Sequence, residues 1–325
     1  METIEKQATS SECAECGNAS KRFGKHRNGL QRYRCLSCGK TFTEEHARGF
    51  RVEDYLKDPR GLRAVRMLVE GCSIRSVERL TGIRKGSLIE LLLIAGQRCE
   101  AVLERVIRKV KLTDIQMDEC WNFIYCKEKN KGPESTDNDE TGDNYNWVAI
   151  DRPTKLVCAF VCGKRTGENA MELCRQIRRA TNPAVRFQLT SDGLQAYIAA
   201  VDEFLLDRCD YAQLVKNYTQ PQDDDHRYSP PVCTGAVKVV ISGNPDEAKI
   251  CTSHVERLNL SLRTQVRRMT RLTNAFSRKL ENHRAAIALY LGWYNFCQIH
   301  GSLRVTPAME AAITDHVWNV AELLA

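Results

Sequence analysis

The sequence lacks any apolar run of about 18 residues, the length that a membrane-spanning helix requires. Its first residues, METIEKQATS, are polar and carry glutamates, so they do not resemble a secretory signal. Aromatic residues are few, at 7%, but 42% of the chain is hydrophobic, which suffices for ordinary cores. A chain of 325 residues has room for two or three domains. We therefore expect a multidomain protein that has no membrane partner.

Cysteine is not scarce, because the chain carries 15 of them. In a small secreted protein that number would indicate disulfides. Here only four cysteines have the spacing of metal ligands, and most others, such as Cys158, Cys162 and Cys174, lie within apolar segments, as small buried hydrophobic residues do. A reducing cytoplasm is therefore the predicted location.

Acidic residues are scarce in two regions of a chain whose net charge is +7. Residues 1–110 contain 22 Lys and Arg against 14 Asp and Glu, and Cys251–Arg284 contains eight basic residues against two acidic ones. Two separate basic surfaces indicate a polyanionic partner, most simply nucleic acid. The alternative interpretation is an ordinary solvated basic surface.

Two CxxC pairs near the N-terminus have the spacing of a zinc site. The pairs are "CAEC" and "CLSC", and their cysteines are Cys13, Cys16, Cys35 and Cys38. Four thiolates suit tetrahedral zinc, and so small a unit has too little core to fold without metal. We predict a zinc ribbon over residues 1–50 with a structural Zn²⁺. A ribbon can contact DNA or dock a protein, and the sequence leaves both open.

The next segment, residues 51–110, has a helical apolar period. Pro59 can begin a helix, Ser73 can cap a second one, and Gly82 can form the turn before a third. This pattern predicts a helix-turn-helix, although such patterns also arise in plain three-helix bundles. The predicted DNA-contacting residues of this segment are Arg75, Arg79, Arg84, Lys85 and Ser87.

From residue 111 to the end the pattern predicts a mixed α/β domain. Three strands come first, followed by helix, strand, helix and strand. A polar loop over 222–235 and a strand over 237–241 lead to a basic segment that reads as one long helix from Thr252 to Lys279. Its predicted DNA-binding residues are Arg257, Arg263, Arg267, Arg268 and Arg271.

Three carboxylates of this domain occupy positions that an ordinary surface ion pair does not explain. Asp118 lies inside the apolar first strand, and Asp192 ends the strand "VRFQLTSD" ahead of a glycine. Glu256 is the lone acid at the start of the basic helix. Neighbouring Glu119 is a rival to Asp118, but strand alternation predicts that it points to the opposite face. Each acid alone could equally be a cap or half of an ion pair.

If these three acids converge, their mutual repulsion requires divalent cations. Carboxylates, water and substrate phosphate are the ligands that Mg²⁺ prefers, and Mn²⁺ is the alternative ion. Two such ions would serve phosphoryl transfer. Arg263 follows Glu256 by two helical turns on the same face, so we expect it to hold a phosphate near the ions.

Several blocks of the sequence resemble the insertion-sequence-1 family of bacterial DDE transposases. They are "MDECWNF", "TSDGLQAY", "HVERLNLSLR", "RLTNAFSRKLENH" and "YNFCQIHGSLRVTPAMEA". The N-terminal "CAECG" and "RYRCLSCGKTFTEE", with the helix-turn-helix, are similar to the end-binding region of that family. The likeness implies a C-terminal ribonuclease-H-like α/β catalytic domain in which Asp118, Asp192 and Glu256 form the metal-binding triad.

The resemblance also implies a function. We expect a transposase that binds double-stranded DNA, both element ends and target, as a homodimer or larger assembly in the bacterial cytoplasm, associated with the nucleoid. Water would cleave the DNA to leave a 3′-hydroxyl, which would then attack the target. Two alternatives remain open: a non-catalytic DNA-binding regulator derived from a transposase, and a nuclease of the same fold.

Overall fold

The computed structural model describes residues 12–13, 15–27, 29–44, 51–132, 140–219 and 232–325. The chain divides into two compact units, Met1–Arg51 and Val52–Ala325. Most of the loop predicted over 222–235 lies outside the described residues. The domain boundary predicted at residues 110 and 111 falls inside the second unit and stays a prediction. No helix in the described part of the chain is long and apolar enough to cross a membrane.

The first unit is a small antiparallel sheet. Its strands pair in the order β1-β2-β3, and they are β1 (Ser20–Lys25), β2 (Gln31–Cys35) and β3 (Thr41–Thr43). Tyr33 is buried and stacks on Phe42, with ring centroids 5.8 Å apart. Beside this pair only Cys13, Ser20 and Cys35 are buried among the described residues of the unit. So little apolar burial cannot by itself hold the sheet together.

The second unit opens with three helices: α1 (Pro59–Val69), α2 (Ile74–Thr81) and α3 (Lys85–Val106). Local signals fix their ends as predicted, since Pro59 is in the first turn of α1 and the Ser73 hydroxyl accepts the Ser76 N–H. Gly82 ends α2 with φ of 71°, a left-handed conformation that glycine adopts without strain. A tight turn at Gly82 therefore joins α2 to α3, and the assignment of this pair as a DNA-binding helix-turn-helix stays a prediction.

The core of the second unit is a six-stranded mixed sheet in the order β6-β5-β4-β7-β8-β9. The first three strands along the chain are antiparallel neighbours, β7 and β8 run parallel to β4, and β9 returns antiparallel. The strands are β4 (Asp114–Ile124), β5 (Gly142–Asp151), β6 (Val157–Gly163), β7 (Phe187–Ser191), β8 (Cys209–Thr219) and β9 (Val232–Ser242). The predicted succession of strands and helices is confirmed.

Helices cover both faces of this sheet, as adjacent residues of β5 show. The Trp147 ring contacts Tyr197 edge-on, whereas the Asn146 Oδ1 accepts from His283 Nε2 at 2.9 Å. Tyr197 belongs to α5 (Gln195–Phe204), which packs with α4 (Gly167–Ala180). His283 belongs to α7 (Leu280–Phe296), which lies with α6 (Ser253–Gln265) on the other face. Two short helices, α8 (Pro307–Glu310) and α9 (Val320–Leu323), end the chain.

The three-helix segment shares the core of the sheet. Helix α3 packs along α7 so closely that a Cβ atom added at Gly96 would lie 2.5 Å from Ala285. Buried residues of α1, α2 and α3 belong to the same hydrophobic cluster as those of the sheet. The absence of a side chain at Gly96 is what permits this approach.

The prediction of one long helix from Thr252 to Lys279 is wrong. Helix α6 ends at Gln265, a single 3-10 turn follows over Arg267–Met269, and α7 begins only at Leu280. Val266 is extended, with φ of −92° and ψ of 100°, and both it and Met269 are buried. Burial of these two side chains overrides the helical preference of the basic run. The arginines after Arg263 therefore lie on a connecting segment.

Candidate active site

Asp118 and Asp192 lie side by side where β7 ends. The parallel pairing of β4 with β7 stops at Met117 opposite Ser191, so Asp118 is the next residue of β4 and Asp192 the next residue of the chain after β7. One carboxylate oxygen each from Asp118, Glu119 and Asp192 lies within 4.8 Å of the other two. The Asp192 side chain also accepts the Leu194 N–H at 3.1 Å, which fixes the turn into α5.

The cluster is electrostatically unfavourable without a cation. Burial, followed by the charges of Asp192 and Glu119, raises the pKa of Asp118 to about 7. Burial also raises the pKa of Asp192 and of Glu119. Ionised carboxylates so close together and half-buried need positive charge nearby. Such a donor set suits a hard divalent cation.

Asn259 contacts the cluster from α6, and the sequence analysis missed it. Its Nδ2 donates to Asp118 Oδ2 at 2.8 Å. Its Oδ1 is buried and has no hydrogen-bond partner among the described residues. The signal for this contact was the spacing, since Asn259 follows Glu256 by three residues and so lies on the same face of the helix.

Glu256 lies outside the group that Asp118 and Asp192 form. It is half-exposed, and its Oε1 accepts from the Lys216 ammonium of β8 and from the Thr252 hydroxyl. Its negative charge nevertheless contributes to raising the pKa of Asp118. The structure thus brings two of the three predicted acids into ligand distance of each other and places the third nearby, paired with a lysine.

Glu119 points to the opposite face of β4 from Asp118, as strand alternation predicts, but it still lies close to the acid cluster. Alternation along β4 holds, because Asp118 contacts α6 while Glu119 accepts from Arg165 at 2.8 Å and from the Tyr197 hydroxyl at 3.0 Å. β7 ends before the level of Asp118 and Glu119 on β4. No residue of β7 therefore lies between the Asp192 carboxylate and either face of β4. Asp192 therefore lies close to both acids.

Arginine side chains extend from the acid cluster along the same face of the sheet. Arg263 is half-buried near Cys120, and its Nε is buried without a partner among the described residues. Arg271 is exposed and lies close to Arg263. Partial burial is the largest cause of the lowered pKa of Arg271, and the charge of Arg263 lowers that pKa further. Arg263 and Arg271 form a strip of positive charge that begins beside Cys120, two residues beyond Asp118 on β4.

Residues from both basic regions of the sequence, which were predicted as separate surfaces, line one groove in the second unit. A groove of about 840 Å³ is lined by Arg75 and Lys85 of the three-helix segment and by Arg267, Arg268 and Arg278 after α6. No carboxylate is among its described lining residues. Arg79, Arg84 and Ser87 do not line it; Arg79 is exposed on α2, and Arg84 is exposed in the turn between α2 and α3. Arg257 is exposed on α6 and lines a different cavity.

In the first unit, Cys13, Cys16, Cys35 and Cys38 converge. Their sulfur atoms all lie within 4.8 Å of one another, with Cys13–Cys38 at 3.7 Å and Cys16–Cys35 at 3.4 Å. Tetrahedral zinc with Zn–S bonds of about 2.3 Å needs sulfurs about 3.8 Å apart. The backbone N–H groups of Cys38 and Ser37 point at the Cys35 sulfur and lower the pKa of that thiol to about 6. The cluster is compatible with zinc.

Comparison with known proteins gives two kinds of match. Residues 241–297 match the family model described as IS1 transposase. The chain is 26% identical over 181 residues to the insertion element iso-IS1n protein InsB of Shigella dysenteriae, which covers 56% of this chain and 95% of that protein. Residues 241–297 contain Glu256 and the arginines of α6.

Solved structures of a transposase also align with the chain. The Mos1 strand transfer complex aligns at 14% identity over 50% of this chain and 58% of that one, with a TM-score of 0.20. The Mos1 paired-end complex with the left transposon end aligns at 12% identity over 54% and 63%, again with a TM-score of 0.20. The chain thus spans less than two thirds of these proteins, and likenesses this low support no argument about it.

Proposed function

We propose that the chain is an IS1-family transposase and that it catalyses metal-dependent DNA cleavage and strand transfer at a site formed by Asp118, Asp192 and Glu256. The match of residues 241–297 to the IS1 transposase model and the 26% identity to InsB support this proposal. The observation that carries the proposal is the convergence of Asp118 and Asp192 beside α6, the helix that bears Glu256. We assign the sheet to the ribonuclease-H-like class. Its three antiparallel strands, followed by two parallel strands on the other side of β4, support that assignment.

The residues at this site fit divalent metal ions. The donors are carboxylate oxygens, and the buried Asn259 Oδ1 beside them has no hydrogen-bond partner among the described residues and would supply a further polar group there. We propose that Asp118, Asp192 and Glu256 hold two Mg²⁺ or Mn²⁺ ions. Bound there, the ions would supply charge neutralisation for the attacking and leaving oxygens of phosphoryl transfer.

Protein groups around the acids would position the DNA. Water attacks the phosphodiester at an element end and breaks its P–O3′ bond, which leaves a 3′-hydroxyl on one side and a 5′-phosphate on the other. That 3′-hydroxyl then attacks a target phosphodiester in line, forms a new P–O bond and displaces the 3′-oxygen of the target strand as a hydroxyl. Neither step requires a covalent protein–DNA bond, because orientation and charge stabilisation carry the catalysis. Arg263 and Arg271, on the strip beside Asp118, would hold the phosphates that flank the reacting one. Asn259 would fix the orientation of Asp118.

The basic groove would hold the DNA itself. It carries guanidinium and ammonium groups without a lining carboxylate among the described residues, as a phosphate-binding surface should. Exposed Arg79 and Arg84 are placed to extend this contact along α2 and the turn, with Ser87 in the first turn of α3. Two element ends must be handled together, so we propose that a homodimer or larger assembly binds the two ends and the target.

The identity of the third acid can be tested by a matched pair of substitutions. We expect Glu256→Gln to lower strand transfer about a hundredfold or more and to weaken Mg²⁺ binding, because its carboxylate can turn from Lys216 toward the ions. Glu119→Gln should lower strand transfer less than about tenfold, since both oxygens of Glu119 are already bonded to Arg165 and Tyr197. Calorimetric Mg²⁺ titration and a strand-transfer assay measure both effects.

Glu281→Gln is the control for this pair, because Glu281 is an exposed acid on α7 that forms an ion pair with Lys279. A larger loss in Glu119→Gln than in Glu256→Gln would show instead that Asp118, Glu119 and Asp192 form the metal-binding triad.

Mg²⁺ affinity should depend on pH because of Asp118. Its pKa is raised to about 7 without metal, so below about pH 7 the ion must displace a proton, whereas above it the carboxylate is already ionised. We expect the affinity to fall roughly tenfold per pH unit below about pH 7 and to level off above it. Titration of the metal-free protein between about pH 5.5 and 8.5 measures this. A pH-independent affinity would contradict it.

A further inference from the structure

A second cavity, of about 620 Å³, lies against a different stripe of α6 from the one that faces Asp118. His254, Arg257, Leu258 and Ser261 line it at helical spacing, whereas Glu256 and Asn259 belong to the neighbouring stripe. The cavity is completed by residues of α7 and by the segment after it, which belongs to the block "YNFCQIHGSLRVTPAMEA". Its size is that of sites that enclose small organic groups.

The cavity is positively charged. Lys155 and Arg257 supply the charge, His254 and His300 also line the cavity, and no carboxylate is among its described lining residues. The charge of Lys155 adds to the lowering of the pKa of His300 that burial causes, as expected for basic groups gathered in one place. An anionic group in the cavity would relieve this repulsion.

The rest of the lining is aromatic, apolar and amide-bearing. The rings of Tyr290 and Tyr294 are buried in its wall, and His300 lies edge-on to Tyr294 with centroids 6.4 Å apart. Gln298 contributes a buried Oε1 that has no hydrogen-bond partner among the described residues. Flat rings and an unused acceptor beside cationic groups are the features that recognise a base next to its phosphate.

We propose that this cavity binds one unpaired nucleotide, with its phosphate on Lys155 and Arg257 and its base against Tyr294 and His300. The phosphates of an intact duplex lie on a convex surface and cannot bring a base into a concave site, so the base must have left the stack. A free mononucleotide has the same chemistry. Because Arg257 directly follows Glu256, a DNA strand held at the acid cluster lies closer to this cavity than a free nucleotide in solution does. We therefore assign the unpaired nucleotide to that strand, and this assignment rests on the proposed function.

The test compares three ligands by fluorescence anisotropy or calorimetry: a blunt duplex, the same duplex with a few unpaired 3′ nucleotides, and deoxyadenosine monophosphate. The wild type should bind the overhang duplex about tenfold more tightly than the blunt one, the gain expected from stacking one base. In the double variant Lys155→Gln/His300→Gln that ratio should fall to about one. Lys155→Arg in place of Lys155→Gln should restore part of it.

Arg105→Gln is the matched control, since Arg105 is an exposed cation on α3 outside this cavity. It should leave the ratio unchanged, and unchanged thermal unfolding verifies that each variant is folded. An overhang preference that is present in the wild type and equally large in the double variant overturns the proposal, and so does a wild type that shows neither an overhang preference nor mononucleotide binding. A mononucleotide that binds wild type but not the double variant, without any overhang preference, supports the site and assigns it to a free nucleotide. Failure to bind blunt duplex contradicts the proposed function alone, because the mononucleotide arm still tests the cavity.

Discussion

Asp192→Asn is expected to abolish strand transfer while DNA binding stays within about twofold of wild type. The amide can keep the Leu194 N–H bond through its oxygen, so the turn between β7 and α5 survives. It cannot offer a second anionic oxygen to a cation. Loss of about 4 kcal/mol of transition-state stabilisation corresponds to roughly a thousandfold in rate. A strand-transfer assay with Mg²⁺, alongside a gel-shift assay of element ends, measures the two effects separately.

The same substitution should stabilise the metal-free protein, because the Asp192 charge raises the pKa of Asp118 through repulsion. Without that charge the pKa of Asp118 should fall, and the free energy of unfolding near neutral pH should rise by about 1 kcal/mol, a few degrees in melting temperature. Mg²⁺ should raise the melting temperature of wild type but not of the variant. Asp202→Asn, on α5 away from the described acid cluster, is the control. Strand transfer by Asp192→Asn at the wild-type rate would remove Asp192 from the site.

Cys35→Ser is expected to unfold the first unit and leave the second intact. Cys35 ends β2, and its sulfur faces that of Cys16. If the four-cysteine site is lost, little apolar burial remains to support the sheet. Structural zinc sites of this kind contribute about 10–16 kcal/mol of binding free energy, which is folding free energy for so small a unit. Zinc content should fall from about one ion per chain to near zero. Metal analysis and amide NMR signals of β1–β3 measure this.

Cys233→Ser is the matched control for that loss, because Cys233 is an exposed thiol on β9. Retention of stoichiometric zinc by Cys35→Ser would rule out the four-cysteine site. DNA affinity of the same variant also separates the two interpretations of the ribbon: a large fall indicates a DNA-contacting module, and no change indicates a protein-docking one.

Most elements of the fold could be predicted because their signals are local. Helix ends at Pro59, Ser73 and Gly82 depend on residues within one turn, and the strands depend on short apolar runs. The break after α6 was missed because it depends on distant contacts. Met269 is buried against β5, where Asn146 Nδ2 lies 3.1 Å from its sulfur, and no property of the basic run itself indicates that contact.

The candidate site could be predicted in part for the same reason. Asp118 and Asp192 stand out because each ends or interrupts an apolar strand. Which acids come near them depends on register, and the position at which β7 stops beside β4 brings Glu119 close. The pairing of Glu256 with Lys216 joins residues 40 positions apart and carries no sequence signal. The shared groove of Arg75 and Arg267 likewise exists only once the helices pack.

The contact between α3 and α7 at Gly96 has a mechanical consequence. A DNA-binding element on a flexible linker can bind at many distances from a catalytic centre. Helices α2 and α3 lack that freedom, because they share one hydrophobic cluster with the strand that bears Asp118. Under the proposed function, these helices bind one DNA sequence and the acid cluster cuts a phosphodiester. The number of base pairs between that sequence and that phosphodiester is therefore fixed by the packing of the protein and not by the DNA.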